Sequence, residues 1–163
     1  YSKNNLAMAA ALATLEVIDE EGLIENAATV GRQIVEDLRP LVDEYEFVKD
    51  VRGKGLMIGI EFHRPESLRL RTAWRLLEAA NDGLFGQLIT IPLFKKHRIL
   101  CQLAGQHVHI VKFLPPLGIT QEDREWIVSA TREVIADAHQ GGGAIWGLGK
   151  QLAGAAIRRK TGG

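Results

Sequence analysis

From Asn4 to Pro40 the apolar side chains recur at helical spacing, and two helices follow from that pattern. Asn4 and Asn5 are N-cap residues, whose amide oxygens accept from the free N–H groups of a first turn. Leu6, Ala9, Ala10, Ala13, Leu15 and Val17 then form a small-residue face as far as Glu21, which predicts close packing against another element. Gly22 marks a break, after which Leu23, Ala27, Val30, Ile34, Leu38 and Leu41 define a second amphipathic helix or a bent continuation of the first. Between Phe47 and Phe62 the period falls to two, and FVKDVRGKGLMIGIEF reads as strand, glycine bend at Gly53 and Gly55, strand. No helix start follows those glycines, so a structural turn is preferred to a phosphate cradle.

Beyond Phe62 the pattern returns to helix. Ser67 caps a run to about Asn81 with Leu70, Ala73, Trp74, Leu77 and Ala80 on one face, and Asn81-Asp82-Gly83 ends it. The apolar LFGQLITIPLFKKHRILCQ is split by Pro92, which predicts a helix before the proline and a strand over Ile99 to Gln102. A further strand is expected from His107 to Leu114, with Val108, Ile110 and Lys112 on one face and His109, Val111 and Phe113 on the other. Pro115-Pro116 stops it. Thr120 caps the next helix, whose first turn carries Glu122 and Asp123 and whose core face is Trp126, Ile127, Ala130, Val134, Ile135 and Ala138. After the joint Gly141 to Gly143, Ile145, Leu148, Leu152 and Ala156 indicate a terminal helix ending in Arg158, Arg159 and Lys160. The expected fold is α/β (α+β): a small antiparallel or mixed sheet with helices packed on one side.

Composition narrows the function classes. The chain of 163 residues balances 20 Lys and Arg against 20 Asp and Glu, so no overall field recommends a nucleic acid or an anionic membrane as partner. There is no secretory leader pattern and no apolar run long enough to span a bilayer, and the single Cys101 forms no internal disulfide; a cytoplasmic location is expected. The absence of an initiator methionine before the polar Tyr1 to Asn5 run leads to the expectation of a segment of something longer. His97, His107 and His109 form a cluster in sequence, but His107 and His109 share a strand face with no third ligand at metal spacing, and Cys101 lacks a base partner, so neither is read as a site. Arg69, Arg71 and Arg75 and the cluster Lys95, Lys96, His97, Arg98 are read as solvated faces in preference to anion sites.

Three segments go further. NNLAMAAALATLEVIDEEGLIENA, VRGKGLMIGIEF and VKFLPPLGITQED, in this order and spacing, resemble the C-terminal part of class III (fold type I) aminotransferases such as the acetylornithine, ornithine and 4-aminobutyrate enzymes. The resemblance implies a homodimer that binds pyridoxal phosphate through a lysine of a preceding large domain and moves an amino group from an amine or amino acid to a keto acid or aldehyde. It implies residues 1–22 as the linking helix, 23–140 as the small domain and 141–163 as an added tail. No catalytic or metal-binding residue is expected in this segment. The family's phosphate-binding threonine stands just before the aromatic residue matched by Tyr1, so Tyr1 and Ser2 adjoin that site without supplying it. Lys112 occupies the place of an arginine that in many members receives the substrate carboxylate. Two readings of Lys112 stay open: a one-point carboxylate contact, or a strand lysine with its head in solvent. A free-standing helix-on-sheet ligand-binding or dimerisation module is the alternative to an enzyme segment.

Overall fold

The computed structural model describes residues 4–80, 83–105 and 109–140. Helix α1 (Asn5–Glu20) starts at Asn4, whose side-chain oxygen accepts from the N–H groups of Leu6 and Ala7. Gly22, at φ +61°, separates it from α2 (Leu23–Leu38). A short α3 (Leu41–Glu44) leads into β1 (Val48–Lys54), which pairs antiparallel with β2 (Met57–Phe62). Helices α4 (Leu68–Ala80) and α5 (Leu84–His97) follow, then β3 (Gln102–Ala104), β4 (Ile110–Phe113) and α6 (Gln121–Gln140). The four strands form one antiparallel sheet in the order β1-β2-β4-β3, as the expected α/β architecture requires.

Alternation along the strands decides which face is covered. Val48, Val51, Ile58, Ile60, Phe62, Val111 and Phe113 are buried. Helices α2 and α5 lie against the sheet, and α6 packs against both of them. Trp74, Phe85, Phe62 and Phe47 join the helices to this face as an aromatic chain, with the Trp74 and Phe85 ring centroids 4.1 Å apart. Arg124 Nε donates to Asp37 at 2.9 Å and Arg132 Nη2 to Glu44 at 2.8 Å, tying α6 to α2 and α3.

The β1–β2 turn is narrower than expected. Only Gly55 and Leu56 form it, with Gly55 at φ +55°, where a two-residue hairpin favours glycine. Gly53 instead belongs to β1, paired with Ile58, and α2 approaches it there: a β-carbon on it would stand 3.0 Å from the Val35 side chain. The same approach makes Gly31 of α2 indispensable, since a β-carbon there would overlap the Gly55 carbonyl.

Three further expectations need correction. Helix α5 does not end at Pro92 but runs through it to His97, and β3 begins only at Gln102. Burial of Leu84, Phe85, Leu88, Ile89 and Leu93 outweighs the single backbone hydrogen bond that proline forfeits. The helix closes at Arg98, at φ +59°, where the Ile99 N–H donates to the Leu93 carbonyl and Lys95, Lys96 and His97 meet the negative end of the helix. Trp126 is not core: it is 52% exposed, and the buried stripe of α6 is Ala130, Thr131, Val134, Ile135 and Ala138. The start of α4 is capped from a distance, with Glu46 Oε2 accepting from the N–H groups of Glu66 and Ser67. The Ser67 hydroxyl first, and then those N–H bonds, hold the Glu46 carboxyl below its ordinary range.

The expected close packing of α1 is not made within the described residues. None of its side chains is buried, and Leu6, Met8, Leu12, Leu15 and Val17 are exposed. Tyr1, Ser2, Asn81, Asp82, His107, Val108 and the whole tail 141–163 lie outside the described residues, and so do the expectations placed on them.

Candidate functional site

The face of the sheet turned away from the helices carries the polar residues left over by the alternation. Its central row, read across the strands, is Arg52, Gly59, Lys112 and Gln102. Gly59 puts no side chain of its own between its neighbours, and the Ile110 side chain leans over it, a β-carbon on Gly59 standing 3.3 Å from Ile110 Cγ2; Arg52 and Lys112 flank this apolar spot with backbones about 10 Å apart, two strand spacings.

The two cations differ in what already holds them. Arg52 Nη1 donates to Asp50 Oδ2 at 2.8 Å and to Glu61 Oε2 at 2.6 Å, and Lys49 Nζ donates to Glu61 Oε1 at 2.6 Å. These contacts raise the Arg52 guanidinium above its ordinary range, Asp50 contributing most, and the bonds from Lys49 and then Arg52 hold the Glu61 carboxyl down. The network neutralises itself at a half-exposed surface, where such pairs add little stability. Lys112 is partly buried and has no hydrogen bond or ion pair among the described residues. An ammonium without a carboxylate partner, beside Gly59, is arranged to accept one from outside. Arg52, Glu61 and Gly59 were not singled out by sequence; their signal was the polar half of the period-two pattern in β1 and β2.

The remaining candidates do not gather here. His97 Nε2 lies 3.5 Å from Glu133, whereas His109 Nε2 lies 3.6 Å from Glu78 and its ring meets Trp74 edge-on. Among the described residues no three metal-ligating side chains come together. Burial pushes the Cys101 thiol up to about 11, which keeps it protonated and unreactive near neutrality. Arg69 donates to the carbonyls of His139 and Gln140 and so caps α6. Lys96 pairs with Glu133.

These residues do not by themselves fit pyridoxal phosphate. A seat for it needs an amine to bond the carbonyl carbon, a carboxylate for the ring nitrogen and donors for the phosphate. Lys49 and Lys96 are committed to exposed ion pairs, Lys54 and Lys95 are exposed, and the partly buried Lys112 has no ion pair with a carboxylate that could serve a ring nitrogen among the described residues.

Comparison with known proteins places this sheet and its helices. Residues 1–135 match the family model described as aminotransferase class-III. The chain is 31% identical over 137 residues to the ornithine aminotransferase of Oceanobacillus iheyensis, covering 84% of this chain and 28% of that protein. It is 32% identical over 143 residues to the alanine/serine racemase of Pyrococcus horikoshii, covering 85% and 26%. Among solved structures, the PLP-bound amine transaminase from an uncultivated Pseudomonas species superposes with a TM-score of 0.56 at 32% identity, covering 78% of this chain and 26% of that one. The chain thus spans less than a third of the length of the relatives it matches. By the extent of the match and by the agreement of fold and sequence, the chain belongs to the class-III aminotransferase family.

Proposed function

We propose that this chain is the C-terminal part of a PLP-dependent aminotransferase that moves an amino group from an amine or amino acid to a keto acid or aldehyde. Residues 1–22 link to a larger domain, 23–140 form the small domain, and 141–163 are an added tail. The small domain forms one wall of the substrate entrance, and Lys112 receives a substrate carboxylate there. The observation that carries this reading is Lys112 on the open face of the sheet, without an ion pair among the described residues and beside Gly59. The cofactor and the lysine that bonds it belong to the remaining length that the relatives have, so no chemical step is assigned to the described residues. The exposed apolar side of α1 is the contact surface to the rest of the enzyme and to a second subunit.

The lysine loosens the choice of acid. Its point charge holds a carboxylate by one directed contact, without the two parallel bonds that a guanidinium offers, and so tolerates more varied acids. The test pairs two proteins. The 163-residue chain mixed with pyridoxal phosphate is expected to give neither the absorbance of a lysine-bound cofactor nor transamination, while the full-length enzyme gives both. Cofactor binding by the isolated chain would overturn the division of labour. Racemised amino acid in place of a transferred amino group would assign the full-length enzyme to the chemistry named for the Pyrococcus horikoshii relative.

A further inference from the structure

The open face of the sheet differs on the two sides of Lys112. On one side the next row, read across the strands, is Asp50, Glu61, Ile110 and Ala104, whose two carboxylates are taken up by Arg52 and Lys49. On the other side the alternation brings Met57, Leu114 and Leu100 to the same face, each two residues along the chain from Gly59, Lys112 and Gln102. Their chain neighbours settle the direction. Ile58 and Phe113 are buried, and Ile99 and Cys101 pack against the core, which turns Met57, Leu114 and Leu100 outward at 58%, 55% and 80% exposure. Carrying the strand register onward sets Leu114 between Met57 and Leu100. Leu100 and Leu114 share the wall of one groove of about 420 Å³, which continues past Pro115 and Pro116 to Trp126.

Three large apolar side chains exposed in one row exceed the scatter of single apolar residues on an ordinary surface. They adjoin an ammonium that has no ion pair among the described residues. Sites for small molecules combine these two parts, an apolar wall that supplies affinity and a charged group that fixes orientation. The charge selects the head of the ligand, a carboxylate, and the row selects its body. From Lys112 to Leu114 the backbone advances about 7 Å, so a head at the ammonium leaves an alkyl chain or aromatic ring over Leu114. On this face a second carboxylate would lie on the apolar row. Arg52 is committed to Asp50 and Glu61, and Lys54 stands beyond Met57 on the edge strand.

We propose that the acid received by Lys112 is monocarboxylic with an apolar body, and that Leu114, Met57 and Leu100 hold that body and select for it. This deepens the proposed function and rests on its reading of Lys112 as the carboxylate contact. The lysine, holding the head at one point, leaves discrimination between acids to the apolar row.

Titration of the full-length enzyme with straight-chain acids from butanoate to octanoate, and with octanedioate, followed by ligand-observed NMR, tests this. Octanoate is expected to bind roughly ten-fold more tightly than butanoate or better, about two-fold for each methylene partly removed from water, and octanedioate more weakly than octanoate. In Leu100→Asn/Leu114→Asn the preference for octanoate should fall to about two-fold. Both side chains are exposed, so the melting temperature should not change. Lys112→Ala should weaken both acids roughly ten-fold and leave the preference as it was. A preference for octanoate that survives the asparagine variant, or that is absent from the start, overturns the apolar row; the reading of Lys112 then stands if Lys112→Ala still weakens both acids. Indifference of both acids to Lys112→Ala overturns that reading and this inference with it. Octanedioate binding more tightly than octanoate overturns the monocarboxylic body and assigns its far end to Lys54 or Arg98.

Discussion

An ammonium and a guanidinium on the same strand position discriminate carboxylates differently, and Lys112 is where that difference is measurable. In the full-length enzyme Lys112→Ala should raise KM for a carboxylate-bearing substrate roughly ten-fold or more, the worth of one charge-assisted hydrogen bond. An uncharged amine substrate should be unaffected, and equal effects on both would place Lys112 outside the substrate contacts. Gly31 sets a different kind of constraint, since a β-carbon there runs into the Gly55 carbonyl. Gly31→Ala should cost about 3 kcal/mol in a denaturant titration, because backbone must move to admit the methyl group. Cys101 gives a pH dependence with a definite sign. Its thiol is favoured in the fold, so the unfolded chain loses the proton first as pH rises past the ordinary value of 9.0. Stability tied to Cys101 is therefore complete below about pH 9 and is lost up to about pH 11, and Cys101→Ser should flatten that part of the stability profile.

At the scale of elements, caps and periods were legible in the sequence, and long-range compensation was not. Thr120 and Asp123 cap α6 reciprocally: the Asp123 N–H donates to Thr120 Oγ1 at 3.1 Å, and the Thr120 N–H donates to Asp123 Oδ2 at 3.0 Å. The Thr120 hydroxyl, which donates to Asp123 Oδ2 at 2.7 Å, and then the Thr120 N–H hold the Asp123 carboxyl below its ordinary range, so the stability it contributes is present above the usual carboxylate pKa and is lost as acid protonates the folded form. Thr120→Ala should lower stability by about 1 kcal/mol and weaken this acid dependence, as thermal melts at neutral and acidic pH would register. Pro92 taught the opposite lesson. A proline forbids an N–H, but it does not end a helix whose neighbours on both sides are buried against a sheet. Pro92→Ala should therefore raise the melting temperature, since it restores a bond toward the Leu88 carbonyl without disturbing the packed face. Glu46 at the start of α4 was invisible for a related reason: it is 21 residues from the Ser67 N–H that it accepts.

For the whole molecule, the unburied helix α1 is the largest consequence of the fold. A helix with Leu6, Met8, Leu12 and Leu15 all more than half exposed needs a surface to cover it. Leu12→Glu/Leu15→Glu in the full-length protein should convert a dimer to monomers by light scattering, and a dimer that survives would move the subunit contact off α1. By itself the sequence determined the order of helices and strands, the capped starts of α1 and α6, the hairpin, and the resemblance to a family, because each depends on neighbours in the chain or on the order of short motifs. The tertiary structure alone decided which strand neighbours flank Lys112, that Gly59 lies beside it under the Ile110 side chain, that Arg52 is already neutralised, that Trp126 faces outward, and that α2 touches the hairpin turn through Gly31. Those facts depend on strand pairing and on which layer covers which face. They arise from contacts between residues distant in the chain, which a local pattern of apolar and polar positions does not encode.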